Sequence, residues 1–177
     1  MNAPGTESAF DVAEWFLDTA LNNREYLQPM KMQYLMFLAQ GYFAAMTAGK
    51  RLMPCIFIAT ERGPVEPNTY KIYAQRRPDF TRAPMPKHVS ELLDGIWRRF
   101  GAYSAGYLGK MLCGHLPVAE ALSNGNNTEI RLKSMTEFYA KASTAGDDMS
   151  NRPRMLRSQS GKTVCVKRWE PGKKQSS

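Results

Sequence analysis

Residues 30–48 are apolar around almost the whole circumference of a helix: Met32, Tyr34, Leu35, Met36, Leu38, Ala39, Tyr42, Phe43 and Met46 leave no polar face. Lys31 and Gln33, near the start, are the polar exceptions. A helix of this kind has no side to show water, so other elements must surround it. Pro29 opens it without wasting an N–H, and Gly49 supplies a stop. With 177 residues, 43% of them hydrophobic, the chain has material for one core plus peripheral sequence. Two independent domains would each be marginal.

The flanking sequence supplies the partners. Ser8 and Asp11 have the spacing of a capping box, and Phe10, Val12, Ala13, Trp15, Phe16, Leu17 and Leu21 give the helix behind them a broad apolar face. Asn22 and Asn23 end it. Cys55 to Ala59 is a short apolar run with β-branched residues, read as a strand or a buried extended segment. Glu61 to Pro67 reads as a loop on its two prolines and glycine, and a brief helix is expected to start at Asn68 or Thr69. Another loop spans 76–86. Helices are expected over 87–100 (Val89, Leu92, Leu93, Ile96, Trp97, Phe100) and 103–113 (Tyr103, Tyr107, Leu108, Met111, Leu112). Ser123 to Asn127 is turn chemistry, and Asn126 with Glu129 predicts the start of a last helix carrying Ile130, Leu132, Met135, Phe138 and Tyr139. No internal repeat is present. The expected fold is mainly α: a compact helical bundle over residues 1–142 with one short strand, then a basic, flexible tail over 143–177 in which only Thr163 to Val166 suits a strand.

The net charge of +8 is unevenly placed. Residues 141–177 carry nine basic and three acidic side chains, whereas the first 140 carry fifteen and thirteen. Basicity therefore belongs to the tail, which suits a solvated segment or contact with nucleic acid, an acidic partner or a membrane surface. Cys55, Cys113 and Cys165 are odd in number and have no CxxC spacing, as expected of reduced thiols in the cytoplasm. The start, MNAPGTES, has no signal-peptide pattern, and no apolar run is long enough to span a membrane.

Groups that carry chemistry are sparse. His88 and His115 have no Cys, Asp or Glu at metal-ligand spacing, so no metal or cofactor is expected. Cys113 and His115 as a nucleophile pair is weaker than a buried thiol beside a helix-end histidine. Gly161-Lys162-Thr163 lacks the upstream glycine of a phosphate loop. Glu61 and Glu66 read as solvated loop carboxylates rather than an acid–base pair. Trp15, Tyr34, Phe37, Tyr42, Phe43 and Trp97 sit at helical spacing, which suits a core better than base stacking. No enzyme is expected.

Two segments in order carry a family resemblance. Lys31-Met32-Gln33-Tyr34-Leu35-Met36-Phe37-Leu38-Ala39-Gln40-Gly41 resembles the K-L-x-K-L-x-Y-x-A-Q-G helix of the Panacea domain, and Gly63-Pro64-Val65-Glu66-Pro67-Asn68-Thr69-Tyr70 is similar to that family's G-P-V-x-P-x-x-Y loop. The opening helix from Phe10 to Leu17 and the Tyr103 to Leu108 stretch extend the resemblance over residues 9–140. The pattern departs at Tyr34, where the family has a second Lys, and at Gly114 and Val118, where it has Thr and Trp. The SocA-type antitoxins are the members it resembles most. The resemblance implies a cytoplasmic antitoxin that binds and neutralises a cognate protein toxin, with an adaptor role delivering that toxin to the ClpXP protease. Lys31, Tyr34, Gly63, Pro64, Val65, Glu66 and Tyr70 are the implied partner-binding residues. A preorganised Gly-Pro loop loses little entropy on binding, but it equally suits a joint that fixes the angle between two helices. The alternative function is a nucleic-acid-binding regulator that uses the basic tail.

Overall fold

The structure is a computed structural model, and it describes residues 3–144, 154–157 and 163–166, with side chains described as far as residue 143. The chain divides into two compact units, Met1–Ala140 and Lys141–Ser177. The first is mainly helical, with α1 (Ala9–Asn22), α2 (Pro29–Met46), α3 (Pro67–Tyr73), α4 (Lys87–Phe100), α5 (Ala105–Cys113), α6 (Leu116–Ser123) and α7 (Leu132–Thr144), the last running past the division. A small antiparallel sheet joins β1 (Ile58–Thr60), β2 (Gly63–Val65) and β3 (Thr128–Glu129) in the order β2-β1-β3. In the second unit, β4 (Arg154–Arg157) pairs antiparallel with β5 (Thr163–Val166), so the strand expected at 163–166 has a partner. The flexibility expected of 143–177 otherwise falls outside the described residues.

The all-round apolar helix is central. α2 packs against α1, α3, α4, α5 and β2, and Leu35, Met36, Phe37, Leu38 and Ala39 are fully buried along it. Gly41 lets Tyr139 of α7 lie on the helix, since a Cβ there would stand 2.3 Å from the ring. α1 starts as its sequence predicts: Ser8 caps it, with the Phe10 N–H donating to Ser8 Oγ and the Ser8 N–H donating to Asp11. α4 spans the expected 87–100, with Val89, Leu93, Ile96 and Phe100 buried on one face. Among the described residues no helix is long and apolar enough to cross a membrane.

The segment 74–86 between α3 and α4 has no regular structure and is tied down by polar contacts. Glu14, on the buried face of α1, accepts from the Tyr73 hydroxyl at 2.6 Å and from the Arg77 guanidinium, which also reaches Asp18 at 2.6 Å. Asp11 accepts from the Ala83 N–H at 3.0 Å, and Phe80 packs on Phe10. Burial beside the Glu14 carboxylate raises the Tyr73 pKa, so its hydroxyl stays a donor.

Four readings are corrected. Glu61 to Pro67 is not a plain loop: Gly63–Val65 is a strand paired with Ile58–Thr60, and Pro67 opens α3. β2 lies at the sheet edge, where a proline's missing N–H breaks no ladder on the open side. Glu66, rather than Asn68 or Thr69, caps α3. The last helix starts at Leu132, because Thr128 pairs with Ala59 and Glu129 with Ile58, and Asn127 takes a positive φ of 65° in the turn before them. A single extended element is thus replaced by a three-stranded sheet. Helix α6, capped at His115 with Pro117 in its first turn, was not anticipated.

Candidate functional site

The two segments on which the family resemblance rests are brought into direct contact. From α2, Gln33 is wholly buried; its Oε1 accepts from the Glu66 N–H at 2.8 Å and its Nε2 donates to Thr69 Oγ1 at 3.0 Å. The Glu66 carboxylate in turn accepts the N–H groups of Thr69 at 2.7 Å and Asn68 at 3.2 Å, which are the first unpaired donors of α3. A carboxylate 1% exposed is sustained by these bonds, so the solvated reading of Glu66 is corrected; that of Glu61, which is exposed, stands.

From the next residue of α2, the Tyr34 hydroxyl donates to the Arg62 carbonyl at 2.5 Å. Gly63 lies against the same ring: its φ is +129°, and a Cβ would come within 2.7 Å of Tyr34. From α5, Gly109 presses in from the other side, where a Cβ would meet the Arg62 carbonyl at 2.7 Å and the Tyr34 hydroxyl at 2.9 Å. Burial raises the Tyr34 pKa to about 12, so it remains a hydrogen-bond donor. Thr60 Oγ1 donates to the Gly63 carbonyl at 2.8 Å and accepts from the Arg62 N–H at 3.3 Å. The backbone of the β1–β2 turn is thereby fixed, while the side chains of Glu61 and Arg62 at its tip are exposed.

Of the implied partner-binding residues, Tyr34, Gly63, Pro64, Val65 and Glu66 are buried and form the joint beneath the turn. Tyr70 is half-buried and lines a hollow of about 400 Å³ on one side of the turn, with Ile58, Val65 and Asn127. Lys31 is not brought to the turn. Its ammonium donates to the Gly101 carbonyl at 2.5 Å and lies 5.9 Å above the Trp97 ring; burial lowers its pKa, partly offset by Glu25.

On the other side of the turn lies a second hollow, of about 580 Å³, between the turn and α5; Met30, Glu61 and Arg62 border both hollows. Ala105, Gly106, Gly109, Lys110 and Cys113 supply its α5 wall. None of these was singled out from sequence as a binding residue. A signal was present in the helix expected over 103–113, where Tyr103 and Tyr107 were counted on the apolar face; Tyr103 in fact precedes α5. They are instead 43% and 53% exposed, stacked on each other with centroids 4.7 Å apart.

Cys113 and His115 face different neighbours. The thiol approaches the Glu61 carbonyl at 3.7 Å, and the His115 Nδ1 lies 3.0 Å from the Tyr139 hydroxyl. Burial raises the Cys113 pKa and lowers that of His115. Among the described residues no group of three or more His, Cys, Asp or Glu side chains is placed to hold a metal ion. Compared with known proteins, the chain matches no family model, no curated protein and no solved structure.

Proposed function

We propose that this chain is an antitoxin of the Panacea type, which neutralises a cognate protein toxin in the cytoplasm by binding it directly and without chemistry of its own. One observation supports the reading more than any other. The helix and the Gly-Pro-Val segment that carry the resemblance form one hydrogen-bonded unit through Tyr34, Gln33, Glu66 and Thr69. That unit presents a turn with a fixed backbone and exposed tip side chains between two hollows. A preformed surface of this kind loses little conformational entropy when a partner docks. Delivery of the bound toxin to ClpXP is the further step that the resemblance suggests.

The test is removal of the chain from its native cells, together with affinity capture of the tagged chain in the presence of protease-dead ClpXP. Growth arrest that disappears when the captured stoichiometric partner is also deleted is the expected result. Unchanged growth, or capture of nucleic acid alone, overturns the reading.

A further inference from the structure

The hollow beside α5 contains features for which the fold itself has no use. Gly106 sits in the first turn of α5, where a Cβ would meet nothing within 4 Å, so no packing demands a glycine there. Glycine is a poorer helix former than alanine. The gain is open space: without a side chain at 106 the hollow stays accessible. Arg62 on the turn and Lys110 on α5 border this space, both are exposed, and among the described residues neither forms an ion pair. Glu61 is the single carboxylate among the residues bordering it. Tyr107 is three residues before Lys110 and therefore its neighbour on the helix surface, and its ring is stacked with that of Tyr103 in solvent. Exposed tyrosines and arginines are both side chains that protein interfaces favour at their centres.

We infer that this hollow is the docking groove for an extended acidic segment of a partner protein. An apolar side chain of that segment fills the space over Gly106, its carboxylates pair with Arg62 and Lys110, and the Tyr103–Tyr107 pair packs along its edge. The inference rests on the partner-binding reading above and adds to it the surface and the chemistry of the partner. Two unpaired cations against one acid favour carboxylates, and the guanidinium of Arg62 offers them a bidentate fork. The backbone that carries Arg62 is already held by the Tyr34 hydroxyl, so only side chains have to order when the segment docks. A nucleic-acid strand suits it less well: Glu61 opposes a continuous phosphate backbone, and two cations make a short track for one.

The experiment uses the full chain and fluorescein-labelled twelve-residue peptides. One has Asp and Glu around a central Leu-Phe pair, the other has Lys in place of every acid, and a thymidine oligonucleotide of equal length is the third probe. The acidic peptide is expected to bind at least about tenfold more tightly than the other two, and Gly106→Trp or the Arg62→Glu/Lys110→Glu pair is expected to weaken it about tenfold. Gly95→Trp, on α4 and equally free of neighbours within 4 Å, is the control expected to change nothing. Equal binding of the two peptides, tighter binding of the oligonucleotide, absence of binding, or retention of the acidic peptide by both groove variants overturns the inference; the last result places the peptide outside the groove. The two readings fail separately. A Gly106→Trp chain that still neutralises its toxin removes the groove and leaves the antitoxin, whereas a harmless partner removes the antitoxin and leaves the peptide result.

Discussion

Gly63 combines a φ of +129° with a neighbouring ring that a Cβ would approach to 2.7 Å, so both its backbone and its surroundings exclude a side chain. Gly63→Ala is expected to destabilise the chain by about 2–4 kcal/mol, seen as a lower urea midpoint at unchanged slope. Tyr34→Phe removes only the hydroxyl that serves the Arg62 carbonyl and should cost about 1 kcal/mol in the same measurement. Glu66→Ala leaves the Asn68 and Thr69 N–H groups without their acceptor, keeps the backbone N–H that Gln33 accepts, and should cost about 1–2 kcal/mol. All three residues build the joint beneath the turn, so on the proposed reading they would act on partner binding only through it. His115 introduces a pH dependence. Its burial lowers the folded-state pKa below the ordinary 6.5, so the unfolded chain takes up its proton first as pH falls. The His115 contribution to stability is thus complete above pH 6.5 and declines from there towards the lowered folded value. Thermal midpoints measured between pH 7.5 and 5 should fall less steeply in His115→Phe than in the parent chain.

At the scale of elements, the strap formed by residues 74–86 depends on a few polar anchors to α1. Arg77 is the half-exposed partner of the buried Glu14, and Arg77→Ala leaves that carboxylate with the Tyr73 hydroxyl alone. A loss of about 1–3 kcal/mol is expected, together with faster trypsin cleavage at Arg76 and Arg82; an unchanged digestion pattern would show that Phe80 on Phe10 suffices to hold the strap. The same scale shows what was legible in the sequence. α1 and α4 were readable because their apolar residues recur at helical spacing and burial follows it, with a capping box in addition at α1; α2 was readable from its all-round apolar run behind Pro29. β2 was not, because proline signals a break locally and only the sheet order reveals an edge that tolerates it. β3 is two residues long and exists through pairing with β1, about seventy residues away, a contact that no local pattern announces. α6 was overlooked behind Pro117, which suits a first turn as well as a break. For the candidate site, the sequence identified the joint under the turn but misread the α5 surface. Tyr103 and Tyr107 have the composition of core residues, and only the three-dimensional arrangement leaves them in solvent.

At the scale of the whole molecule, the buried cluster is built from residues between Ala9 and Tyr139 and centres on α2. Most of the net positive charge lies after residue 140, in the second compact unit. A chain ending at Thr144 is accordingly expected to keep a cooperative thermal transition and its partner affinity, while losing most of any salt-sensitive attraction to polyanions. Loss of the transition would place essential packing beyond α7. The proposed neutralisation of a toxin by direct contact is tested most directly by co-expressing this chain with the partner captured from its native cells, measuring growth and co-purification together. Restored growth with a stoichiometric complex is the predicted result. A partner that is harmless without this chain, or growth restored with no complex formed, would contradict it.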